Sequence, residues 1–73
     1  MATQIVMDQT GDRRHQFDPQ NASELAEAEK RFKELTGTGF TAAARTTAGE
    51  AIKIASFDSS ANETVFFPRL VGG

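Results

Sequence analysis

Residues 21–35 read NASELAEAEKRFKEL, and this run decides the architecture. Leu25, Ala28, Phe32 and Leu35 recur at spacings of three, four and three. That pattern puts them on one stripe of an α-helix. The remaining faces carry Glu24, Glu27, Glu29, Lys30, Arg31, Lys33 and Glu34. Asn21 is a good N-cap, and Glu24 stands three residues on, as in a capping box. Acid early and base late complements the helix dipole. The predicted helix covers 22–35, with Gly37 or Gly39 able to terminate it. Because Gly37-Thr38-Gly39 follows the helix, it reads as a cap and turn; a phosphate cradle needs its glycines before a helix N-terminus.

A helix with a single apolar stripe needs one apolar surface to cover it, and a sheet is the economical one. The strands are found on both sides of the helix. Residues 3–8 (TQIVMD) are β-branched and apolar, and read as a strand. Residues 9–12 supply a turn through Gly11 and Asp12. Residues 13–18 form a second strand with His15 and Phe17 on one face, and Pro19 stops it. Beyond the helix, 40–46 and 51–57 flank a turn at 47–50 and predict a second hairpin. Ala42, Ala43 and Ala44 are poor strand formers within its first arm. A loop at 58–62 leads to a last short strand at 64–67. Pro68 lacks a backbone donor, which should end regular pairing or confine this strand to an edge. The order is strand, strand, helix, strand, strand, strand. The expected division is a globular domain over 1–68 and a flexible tail over 69–73.

The composition limits what such a domain can do. Seventy-three residues make one domain, and a chain this short buries only roughly 60% of its unfolded surface. With no cysteine there is no disulfide to staple it and no thiolate metal site. The core is expected from Ile5, Val6, Met7, Phe17, Leu25, Phe32, Leu35, Phe40, Ile52, Ile54, Phe57, Val65, Phe66 and Phe67. Net charge is −2, and the eight Lys and Arg form no block, so nucleic acid is not an expected partner. Arg13-Arg14 reads as a solvated strand face. No basic leader precedes an apolar run, and no apolar stretch approaches the ~18 residues of a membrane span. A cytoplasmic, monomeric protein that does not engage membranes is expected. His15, the only histidine, has no marked nucleophile or acid beside it and reads as a core or edge residue. No catalytic residue, metal ligand or cofactor is expected, and the chain is not read as an enzyme.

Two local sequences carry a resemblance. The chain opens with Gln4-Ile5-Val6-Met7, Thr10-Gly11-Asp12 and Phe17-Asp18-Pro19, and it closes with Val65-Phe66-Phe67 and Arg69-Leu70-Val71-Gly72-Gly73. With the predicted ββαβββ order, these resemble the ubiquitin-like β-grasp family: an α+β fold in which a mixed sheet of four or five strands packs on one helix. The resemblance covers both ends and the helix; residues 40–62 match less well. Two positions depart from the family pattern. Pro68 falls in a strand that is central in that family, and Val71 stands where a basic residue is usual.

The resemblance implies a modifier or carrier conjugated through Gly72 and Gly73, with Arg69, Leu70 and Val71 contacting partners. It implies an activating enzyme, a conjugation target and an isopeptidase as those partners. Glycine suits such an end because a backbone without side chains can thread a narrow enzyme channel. A sulfur carrier with a C-terminal thiocarboxylate is a close variant. The alternative is a non-catalytic β-grasp interaction domain whose glycines carry no chemistry. Lys30, Lys33 and Lys53 read as ordinary surface lysines. Among Phe66, Phe67 and Leu70, one phenylalanine is expected in the core and Leu70 in a docking patch.

Overall fold

The structure is a computed structural model that describes residues 1–8, 10–45 and 48–68. The elements are β1 (Ala2–Asp8), β2 (Gly11–Phe17), α1 (Ala22–Gly37), β3 (Phe40–Arg45), β4 (Ala51–Ile54) and β5 (Glu63–Pro68). They build an α+β domain in which one helix packs on a five-stranded mixed sheet of order β2-β1-β5-β3-β4. β1 is antiparallel to β2 and parallel to β5, and β3 is antiparallel to both β4 and β5. This arrangement is compatible with a β-grasp.

The start of α1 is held more widely than a capping box would hold it. Asn21 Oδ1 accepts from the N–H groups of Ser23 and Glu24 at 3.0 and 3.2 Å, a cap worth about 1 kcal/mol. The Glu24 carboxylate does not return to Asn21. It reaches past the cap and accepts from the Asp18 N–H at 3.0 Å, which ties the helix to the end of β2. At the other end α1 runs two residues beyond the expected Leu35. Thr36 Oγ1 donates back to the Phe32 carbonyl at 2.9 Å. The Thr38 N–H then closes the helix on Glu34 and Leu35, and Gly39, at φ +106°, turns the chain into β3. Because of this extension the last turn holds no basic residue.

Register divides the sheet into two faces, because successive side chains alternate and paired residues share a face. Ala2, Gln4 and Val6 of β1 lie toward α1, with Phe17 and His15 opposite them on β2. Thr64 and Phe66 of β5 and Ala42 and Ala44 of β3 share that face. Two packed clusters form beneath the helix. One joins Val6, Phe32, Ala42 and Phe66; the other joins Ala2, Phe17 and Ala28. Phe57 touches both. Its ring centroid is 6.0 Å from Phe17 and 5.9 Å from Phe32.

Several expectations are corrected here. The fourth strand ends at Ile54, not Phe57, which frees Phe57 to drop beneath the helix. Met7 is 42% exposed and Ile52 51% exposed, so neither belongs to the core. Met7 lies on the helix-free face, and Ile52 stands on the outer strand of the sheet. The three alanines of β3 are buried: Ala42 and Ala44 face α1, where small side chains let a helix approach the sheet closely, and Ala43 is buried on the opposite face beside Val65, so the neighbours in the sheet outweigh their weak strand propensity. β5 is not an edge strand. It lies between β1 and β3 and continues to Pro68. The proline is tolerated because the parallel register with β1 runs only from Thr3↔Glu63 to Val6↔Phe66. At Pro68 the strand pairs with Phe40 of β3 and no longer with β1, so a central strand has one neighbour at that position.

Candidate functional site

Arg69, Leu70, Val71, Gly72 and Gly73, the residues expected to act, lie outside the described residues, as does the expected tail 69–73. The structure places the residues that lead to them. Phe66 is fully buried and packs edge-on against Phe32 at 5.6 Å, so it is the phenylalanine that joins the core. Phe67 is half-buried on the helix-free face beside Val65, and Pro68 is exposed.

The helix-free face is a mixed surface. Ile5 and Ala43 are buried near its centre, Val65 and Phe67 are half-buried, and Met7 is exposed. Charged residues stand among them. Arg45 Nε lies 2.7 Å from Glu63 Oε1 across β3 and β5, a solvent-screened pair worth at most about 1 kcal/mol. Arg14 pairs in register with Ile5, and Asp12 with Met7; Lys53 pairs with Ala43.

On the helix side, Gln4 is fully buried. Its Nε2 donates to the Ala28 carbonyl at 3.0 Å, and its Oε1 accepts from Arg31 Nη1 at 2.8 Å. A buried amide without partners would cost about 1–3 kcal/mol; here both ends are used, and they fix the Arg31 guanidinium. His15 stands opposite Gln4 in register. It is half-buried on the outer strand β2, as expected. Burial lowers its pKa below the ordinary value, and the charges of Arg31 and Arg13 lower it further. Asp8 lies at the β1–β2 turn. It accepts from the Thr10 hydroxyl and N–H and from Arg13 Nη2 at 3.0 Å, and these bonds hold its pKa down to about 2.

Sequence reasoning missed the pairing of Gln4 with Arg31. A signal existed: Ala2, Gln4 and Val6 alternate on one face, which puts a polar side chain between two core positions. Its partner on the helix was not readable, because Arg31 looks like any other residue of a charged face.

His15 and Asp8 predict acid sensitivity of the same sign. A group whose pKa is lower in the folded state is protonated more readily when unfolded, so stability falls as pH falls. For His15 the loss begins below its ordinary 6.5. For Asp8 it begins near 3.8 and continues to about 2. Thermal melts from pH 7.5 downward are expected to decline first through the histidine window, and His15→Gln should remove that first decline. A wild-type melting temperature that stays flat between pH 7 and 5 would contradict the environment described for His15.

No group of three His, Cys, Asp or Glu that could hold a metal ion is present among the described residues. No helix among them is long and apolar enough to cross a membrane. Comparison with protein-family models, with curated proteins and with solved structures finds no match for this chain.

Proposed function

We propose that this chain is a ubiquitin-like modifier or carrier, activated and conjugated through the Gly73 carboxylate. The observation that carries the reading is the position of β5. It is central in the sheet, parallel to β1, and continues in sequence into Arg69-Leu70-Val71-Gly72-Gly73. The order β2-β1-β5-β3-β4 with one helix across a face is compatible with a β-grasp.

In this reading an activating enzyme holds the domain and admits only Gly72 and Gly73 to its nucleotide site. The Gly73 carboxylate displaces pyrophosphate from ATP to form an acyl adenylate. A thiol of the enzyme then displaces AMP, and an amine of the target takes the acyl group. In the sulfur-carrier variant a sulfide-level sulfur donor displaces AMP from the adenylate, leaving a thiocarboxylate at Gly73. Either way Gly73 must carry a free carboxyl group, at the natural terminus or after processing. Arg69, Leu70 and Val71 are assigned to partner contact. The reading places the protein in the cytoplasm, with the activating enzyme, an isopeptidase and the target as partners.

The test is intact mass spectrometry of the protein recovered from its native cells. Expected is a fraction joined to a target through Gly73, or ending there as a thiocarboxylate. A population with only a free Gly73 carboxylate, or a chain that always continues past Gly73, would sink the reading. The second reading, an interaction domain, is favoured by the helix-free face, where Met7 is exposed and Val65 and Phe67 are half-buried. It predicts that removing Gly72 and Gly73 leaves function intact.

A further inference from the structure

A cleft of about 320 Å³ lies between the second half of α1 and the β1–β2 hairpin. Its apolar lining comes from Val6, Leu35 and Phe40, one residue each from a strand of the hairpin, the helix and β3. Three nitrogen-bearing side chains, Arg13, His15 and Arg31, also line it. The volume is at the low end for small-molecule sites, and apolar walls with a few convergent polar groups are their usual make-up.

The three cationic or donor groups are not equivalent. Arg13 is already met by Asp8 at 3.0 Å, and the Asp8 carboxylate is further occupied by Thr10. Arg31 has no carboxylate within ion-pair distance among the described residues. Glu34, one turn further along α1, also lines the cleft but does not pair with it. Arg31 is nevertheless not free to swing. The fully buried Gln4 holds one arm of its guanidinium at 2.8 Å, leaving its other N–H donors for a ligand. His15 lines the same cleft, and burial and the charges of Arg31 and Arg13 lower its pKa, which favours the neutral ring. A neutral imidazole still offers one N–H.

We propose that this cleft binds a small monocarboxylic acid with an apolar body, the carboxylate received by Arg31 and His15 and the body by Val6, Leu35 and Phe40. A single negative charge fits because, of the two guanidiniums that line the cleft, only Arg31 has no counter-charge among the described residues, while Asp8 and Glu34, which also line it, oppose a dianion. A guanidinium fork and a carboxylate match in geometry. Gln4 is a positioning residue in this site: it touches Arg31 and not the ligand. This proposal does not rest on the conjugation reading.

The experiment is an NMR titration of the full chain with hexanoate, with hexanamide and inorganic phosphate as separate arms. Hexanoate is expected to shift the amide signals of Val6, Arg31 and Leu35. It is also expected to raise the pH midpoint of the His15 imidazole, since a nearby carboxylate favours the charged ring. Arg31→Gln should weaken hexanoate by about tenfold or more, the loss of one charge-assisted hydrogen bond. Arg45→Gln, the same charge change on the helix-free face, should leave it as in wild type; melts of both variants establish that they fold. The proposal fails if hexanoate moves neither the amides nor His15 through the millimolar range. It also fails if hexanamide binds as well, if phosphate binds more tightly, or if Arg31→Gln binds like wild type.

Discussion

Phe32→Ala is expected to destabilise the domain by about 3–5 kcal/mol, the cost of deleting a buried aromatic side chain whose surroundings cannot collapse. Phe32 is 2% exposed and is the one helix residue whose ring meets two other rings, Phe57 at 5.9 Å and Phe66 at 5.6 Å. Both contacts are edge-on, with interplanar angles of 66° and 69°. Such pairs contribute about 0.5–1.5 kcal/mol beyond area burial. Collapse is resisted from three sides. Phe66 is locked in the central strand, Phe57 is braced against Phe17, and Ala42 below has no side chain that can extend into the void. A domain of this size has a total stability near the low end of the usual ~5–15 kcal/mol. The variant should therefore be partly unfolded at room temperature, with a large drop in the urea midpoint. A loss below roughly 1 kcal/mol in matched urea melts would show that the helix does not pack on the sheet through Phe32.

The second large effect belongs to the proposed conjugation. Gly72→Val is expected to abolish adenylate and thioester formation, by about 100-fold or more, when ATP and the activating enzyme are supplied. A branched side chain beside the reacting carboxyl would displace it by an ångström or more, and misplacement on that scale costs about that factor. Val is also the wrong residue where a backbone must pass through a narrow channel, because it adds bulk at Cβ and stiffens χ1. Deleting Gly73 should be equally damaging, since it withdraws the carboxyl group from the reacting position. Both variants should melt with wild type, because the reading gives Gly72 and Gly73 no part in the core. Truncated chain that functions like wild type in its native setting would remove the modifier reading and leave the interaction domain. Variants that lose activity together with their melting transition would show instead that the terminal residues belong to the fold.

These two experiments are independent. The first tests the packing of α1 on the sheet, and the second tests chemistry at residues outside the described part of the structure. The carboxylate titration tests a third feature, the cleft lined by Arg31, which neither of the others touches.

The helix was legible in the sequence because its signals are local. The stripe Leu25, Ala28, Phe32, Leu35 depends only on a repeat of 3.6 residues, and Asn21 caps through hydrogen bonds within three residues of itself. The two hairpins were legible for the same reason: each places its partners a few residues apart around a turn. Long-range pairing was not. That β5 would run parallel to β1 and between β1 and β3 depends on contacts between residues some sixty positions apart, as Thr3↔Glu63 and Val6↔Phe66 show, and no local pattern encodes them. The burial of Ala42, Ala43 and Ala44 ran against their strand propensity, because in a sheet the neighbours determine whether a small side chain is useful. Pro68 read as a bar to a central strand because sequence alone does not say where the β1 ladder stops. Gln4 and Arg31 show the limit most directly. Each residue taken singly looks like ordinary polar surface. Only the packing of α1 across β1 buries the amide, satisfies it at Ala28, and turns Arg31 toward a cleft that exists in neither element alone.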